Sequence, residues 1–100
     1  MAYEGGGLCA ALEAAVGDDV ALVRDLRRAF LESADRQIDL LERAGDETAW
    51  QMAMWRLKGL CGSFGVVDLL AMVEAAQDAT PCDPKVAPRL RAALSTLSAD

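Results

Sequence analysis

The stretch Met54-Trp55-Arg56-Leu57-Lys58-Gly59-Leu60-Cys61-Gly62-Ser63-Phe64-Gly65 decides how this chain is read, together with the residues that lead into it from Asp46. Apolar side chains at Trp50, Ala53, Met54, Leu57, Cys61 and Phe64 recur at intervals of three and four, the period of a helix with one face turned to a core. Asp46 is placed to cap the start of that helix, Glu47 suits its first turn, and Gly65 is expected to end or bend it. At about 100° per residue, Trp55 points roughly 140° away from Trp50 and therefore outward. Gln51, Met52, Gly59 and Gly62 fall on the same outer side, with Arg56 and Lys58 on opposite flanks.

Working outward, the N-terminal side divides into two further helices. Leu8 to Val16 is rich in alanine and apolar residues and reads as a short helix that Gly17 interrupts. Asp18 or Asp19 offers the next N-cap. Val20, Val23, Leu26, Phe30, Ser33, Gln37, Leu40 and Leu41 then largely follow a helical period up to Ala44-Gly45, with Gly45 as the left-handed residue after the helix. On the C-terminal side, Leu69, Leu70, Val73 and Ala76 mark a fourth helix within Val66 to Ala79. Thr80-Pro81-Cys82-Asp83-Pro84 must turn, because its prolines defeat a helix interior. A last helix begins near Asp83-Pro84, or near Ala87 if Pro88 opens it, and turns Leu90, Leu94 and Leu97 inward.

Bulk properties agree with a helical domain. One hundred residues suffice for one core, taken here as residues 8–100 behind a flexible leader of residues 1–7. A hydrophobic fraction of 53% with only 5% aromatic residues means mostly Ala, Leu, Val and Met, a composition that favours packed helices. The fold expected is all-α, an antiparallel four-helix bundle with a short additional N-terminal helix, because short connections make successive helices neighbours. Sixteen acidic against ten basic residues give a net charge of −6, which opposes nucleic acid and anionic membrane surfaces as partners and favours a protein. The chain has neither a long apolar run nor a secretory-type N-terminus, so a cytoplasmic location is expected. Cys9, Cys61 and Cys82 are odd in number and far apart, and read as reduced thiols.

The segment from Met54 to Gly65 resembles the signature of the histidine-containing phosphotransfer (Hpt) family, roughly Ala-His-x-Leu-Lys-Gly-x-x-Gly-x-x-Gly. Trp55 stands where the family has its phosphoacceptor histidine, while Leu57-Lys58-Gly59, Gly62 and Gly65 keep the frame. The resemblance extends from about Val16 to Ala76, with Gly17-Asp18, Leu26, Phe30 and Leu69 falling where the family places similar residues. It implies a four-helix bundle with an extra N-terminal helix, in a two-component phosphorelay in which the histidine exchanges phosphoryl groups with receiver-domain aspartates. In the family the matching glycines leave the histidine open to a receiver, and the lysine matching Lys58 helps hold the phosphoryl group.

This chain contains no histidine at all. The indole nitrogen of Trp55 is only a hydrogen-bond donor, its lone pair committed to the ring, so it cannot form a phosphoramidate in imidazole's place. The same absence removes imidazole-based acid–base catalysis and metal ligation. Asp18, Asp19, Asp46 and Asp83 sit at expected helix starts, where capping accounts for them, and Cys61 lies on the buried stripe. No catalytic constellation and no cofactor are expected.

Function is therefore expected in binding. Gln51, Met52, Trp55, Arg56, Lys58, Gly59 and Gly62 form the candidate docking surface, a small apolar patch with a basic rim. Tryptophan is over-represented among interface hot spots, and a glycine inside a helix costs about 1 kcal/mol relative to alanine. The resemblance makes the receiver domain of a response regulator, or a hybrid sensor kinase, the expected partner of a non-transferring adaptor or competitor. The alternative is a structural module that self-associates into a weak homodimer through the Trp55 patch.

Overall fold

A computed structural model describes residues 6–78 and 81–98, with the side chains of all of these but residues 6, 7, 9, 10 and 98. The described residues form five α-helices and no strand: α1 (Gly6–Val16), α2 (Val20–Glu42), α3 (Glu47–Phe64), α4 (Val67–Gln77) and α5 (Val86–Ser98). α1 therefore starts two residues ahead of the expected Leu8, inside what the sequence marked as leader. Ala79 and Thr80 lie outside the described residues, as do residues 1–5. None of the described helices is long and apolar enough to cross a membrane.

The helix ends follow local chemistry. Asp19, rather than Asp18, caps α2 by accepting the Leu22 backbone N–H at 3.0 Å. Asp46 caps α3 by accepting that of Ala49 at 2.8 Å. Gly17 and Gly65 close α1 and α3 with φ of 79° and 68°, a conformation that glycine reaches without a steric penalty. At Gly65 the Val66 N–H reaches the Cys61 carbonyl (2.9 Å) and the Gly65 N–H that of Gly62 (3.3 Å), a Schellman arrangement that answers two orphan carbonyls. Val66 caps the next helix without a side-chain bond and is itself buried, which fixes the corner between α3 and α4.

Two expected ends differ. Gly45 does not adopt the left-handed conformation, because α2 already stops at Glu42 and the chain leaves through Arg43 at φ −93°. Asp83 is not the N-cap of α5. Its carboxylate accepts the Lys85 N–H at 3.0 Å within the turn, the helix opens at Val86, and Pro88 sits inside its first turn, where the missing N–H is tolerated.

Helix pairing is antiparallel around a ring. In the pair α2 and α3, Phe30 meets Phe64 with ring centroids 5.2 Å apart, and Leu40 lies across from Met52. Lys58 reaches Glu74 between α3 and α4, while Ala76 and Val86 lie together at one end of the pair α4 and α5 and Met72 and Leu90 further along. α5 returns to α2: the Arg27 guanidinium donates to the Leu97 carbonyl at 2.8 Å, and Arg91 pairs with Asp35 and Glu42. These contacts make α2 to α5 a four-helix bundle, with α1 lying against α2 and α3.

The core is the set of apolar side chains enclosed by that ring, headed by Trp50, Phe30, Leu8, Ile38, Met54 and Leu57. All of the stripe expected on α3 is buried except Phe64, which is half-buried against Phe30. α2 departs further from expectation. It buries Phe30, Ala34, Ile38 and Leu41, whereas Ser33 and Gln37 are half-buried and Val20 and Leu40 are 69% and 39% exposed. The inward row steps through the small Ala34, so the whole face is rotated from the row through Ser33, Gln37 and Leu40. On α4 and α5 the expected Leu69, Val73, Leu90, Leu94 and Leu97 are buried, and Leu70 and Ala76 are half-buried.

Candidate functional site

Among the described residues α3 packs against α2, α4 and α1, and its remaining face is open. That face follows from the sequence: between core residues Met54, Leu57 and Cys61 the chain places Trp55, Gly59 and Gly62 on the opposite side of the helix. Trp55 is 71% exposed and Met52, one turn earlier, 49%. Gln51 is half-buried beside them, and with Glu47 and Thr48 the three line a shallow concavity at the start of α3. No hydrogen bond or ring contact is recorded for the Trp55 indole among the described residues. Its ring and N–H are thus available to a partner.

The glycines take on a specific meaning here. A methyl group added at Gly59 or Gly62 meets nothing within 4 Å, and neither residue has a left-handed φ. Close packing against a neighbouring helix, the ordinary reason for glycine inside a helix, is therefore absent at both. Each keeps a local cost of about 1 kcal/mol with no gain inside the fold. Gly65 is the opposite case, since a Cβ there would come within 3.2 Å of Ala11 and its φ is positive.

The basic flanks are unequal. Arg56 lies on the α2 side, in a groove with Arg43, Leu40 and Met52, where Arg43 is paired with Asp39 at 2.9 Å. Lys58 lies on the α4 side and faces Glu74 at 3.9 Å, with both side chains about half exposed. The sequence left Lys58 free to offer its charge; the structure partly offsets it with Glu74. Such an exposed, long pair is worth at most about 1 kcal/mol and opens easily.

The structure brings Gln51, Met52, Trp55 and Gly59 into one continuous strip and carries it on to Gly62, which borders a second concavity lined also by Ala11, Leu12, Ala15 and Leu26. It also adds residues that sequence reasoning missed. Leu40 and Arg43 extend the surface onto α2, although Leu40 follows the helical period of that helix through Gln37. The available signal was Ile38 followed by Leu41, which already completes an inward row and leaves Leu40 outside.

Chemically the strip can bind but holds no group suited to transfer. Cys61 beneath it is fully buried, and burial pushes its thiol up to about 11, leaving it protonated and inert at neutral pH. Among the described residues no cluster of His, Cys, Asp and Glu could hold a metal ion. No family model, curated protein or solved structure matches this chain.

Proposed function

We propose that this chain is an Hpt-type docking domain that has lost phosphotransfer: it engages the receiver domain of a response regulator, or a hybrid sensor kinase, through the outer face of α3. The observation that carries this reading is the pairing of an exposed Trp55 with two helical glycines that stand in open space. Glycines with no role inside the fold keep the helix surface flat for something outside it. The Leu57-Lys58-Gly59 frame links that flat surface to the Hpt signature.

In this reading Trp55 occupies the centre of the contact, where a large, rigid aromatic with a single polar N–H gains most from desolvation. Met52 and Leu40 supply adaptable apolar area on one side. Arg56 and, once released from Asp39 and Glu74, Arg43 and Lys58 approach the acidic phosphorylation pocket of a receiver, which favours encounter and orientation more than raw affinity. With no imidazole to accept a phosphoryl group, the bound receiver keeps its own phosphate, and the domain acts as an adaptor or as a competitor for active Hpt domains.

Two measurements test this. Incubation with phosphorylated, radiolabelled receivers leaves this chain unlabelled; stable label on it overturns the loss of transfer. Calorimetric titration of receivers yields binding that Trp55→Ala weakens, and equal affinities for the two proteins would remove Trp55 as the anchor. Pairing of the same face with a second copy is the competing use, since Gly59 lets two backbones approach. Sedimentation over a range of concentrations separates them: a Trp55-dependent dimer favours self-association, and a monomer throughout favours a receiver.

A further inference from the structure

A second surface, sharing no residue with the Trp55 strip, lies where α4 and α5 diverge. Met72 and Ala75 form one wall, and Ala76, Val86 and Leu90 the floor of a cleft of about 490 Å³. Met72 is 37% exposed at its edge, whereas Val86 and Leu90 are almost completely buried, so the floor is firm core and the wall is free to adapt. Lys85 and Arg89 stand at the rim, both exposed.

The chain carries −6 overall, yet two exposed cations, Lys85 and Arg89, stand together at this rim, and neither takes part in an ion pair among the described residues. The one acid on the cleft is Asp83, and one of its carboxylate oxygens already receives the Lys85 backbone N–H. Arg89 lies near the start of α5, one turn on from Lys85, so the two cations share the rim.

We propose that the α4–α5 cleft takes a short acidic segment of a partner protein, with one or two apolar side chains seated on Ala76, Val86 and Leu90 and carboxylates facing Lys85 and Arg89. The cleft is open along one side, which suits a peptide or helix edge better than a small molecule, whose pockets enclose most of its surface. Charge complementarity selects the acidic class and, because the protein itself is acidic, disfavours non-specific attraction of the same ligand elsewhere.

The test is selection from a display library of short random peptides on the intact protein, with the enriched peptides titrated by fluorescence anisotropy. Expected are sequences combining Leu, Phe or Met with Asp and Glu, whose affinity falls by at least about tenfold in K85E/R89E. Both substitutions place an acid next to or within the first turn of α5, the favourable sign there, so that variant folds. The same peptides bind Trp55→Ala unchanged, which separates this site from the α3 face. The proposal is overturned if nothing is enriched, if enriched peptides are neutral or basic, if they bind K85E/R89E equally, or if Trp55→Ala abolishes their binding. Binding of anionic lipid vesicles through the same two cations, without peptide binding, also overturns it.

Discussion

Gly59 and Gly62 are where the account is most exposed to contradiction, because it assigns them opposite effects on stability and on binding. Alanine fits at both positions without contact or strain. Gly59→Ala and Gly62→Ala should each stabilise the domain by about 1 kcal/mol and raise Tm by about 5 °C in a domain of this size. The same added methyl groups should weaken docking on α3. Scanning calorimetry and receiver titration on the same preparations check both signs, and a loss of Tm would mean that the glycines serve the fold after all.

Cys61 gives a residue-scale prediction of a different kind. Burial raises its thiol from 9.0 to about 11, so the folded state holds its proton more tightly than the unfolded chain. The resulting stabilisation is present in full below pH 9 and is lost as pH rises from 9 to about 11. Its upper size is about 2–3 kcal/mol. Urea denaturation at pH 8 and pH 11 should show a steeper decline for the native chain than for Cys61→Ala; parallel declines would place the thiol in contact with water.

At the scale of the elements, the helix ends are the most legible part of the chain. Asp46 before a periodic apolar stripe and Gly65 after it define α3 by chemistry local to a few residues, and both behave as expected. Asp46→Ala should cost about 1 kcal/mol by losing the bond to the Ala49 N–H. Gly65→Ala should cost about 1–2 kcal/mol through its left-handed φ, with crowding against Ala11 in addition. Urea midpoints measure both. Loss at Gly65 alongside gain at Gly59 and Gly62 distinguishes the glycine that shapes the fold from the two that shape the surface.

What the sequence concealed lies in tertiary packing. The α2 face is rotated because Ala34 serves as a core residue, and a small side chain carries little weight in a periodicity until a neighbour is seen to close over it. Leu40, though it follows the helical period, consequently lies at the surface, and with Arg43 it enlarges the candidate site. Gly45 looked like a helix terminator, but α2 ends three residues sooner, so the turn to Asp46 needs no left-handed residue. Trp55 was legible for the opposite reason: its outward direction follows from the phase of the long stripe on its own helix.

At the scale of the molecule, the bundle separates what it buries from what it presents. Its described core contains no buried polar or charged residue, and the ion pairs joining α5 to α2 are exposed and therefore contribute little each. Stability rests on apolar packing around Trp50 and Phe30, while Trp55, of the same chemistry as Trp50, is left 71% exposed. Removing the Trp55 side chain should accordingly leave Tm within about 3 °C, since exposed substitutions shift stability by about 0.5 kcal/mol or less.

That independence makes calorimetric titration of receiver domains against the native chain and Trp55→Ala the most direct measurement. The account predicts a saturable complex with the native chain and a loss of about 30-fold or more in affinity for Trp55→Ala, the scale of a hot spot of about 2 kcal/mol, at unchanged Tm. Equal affinity of the two proteins, or no complex of the native chain with any receiver, would contradict it.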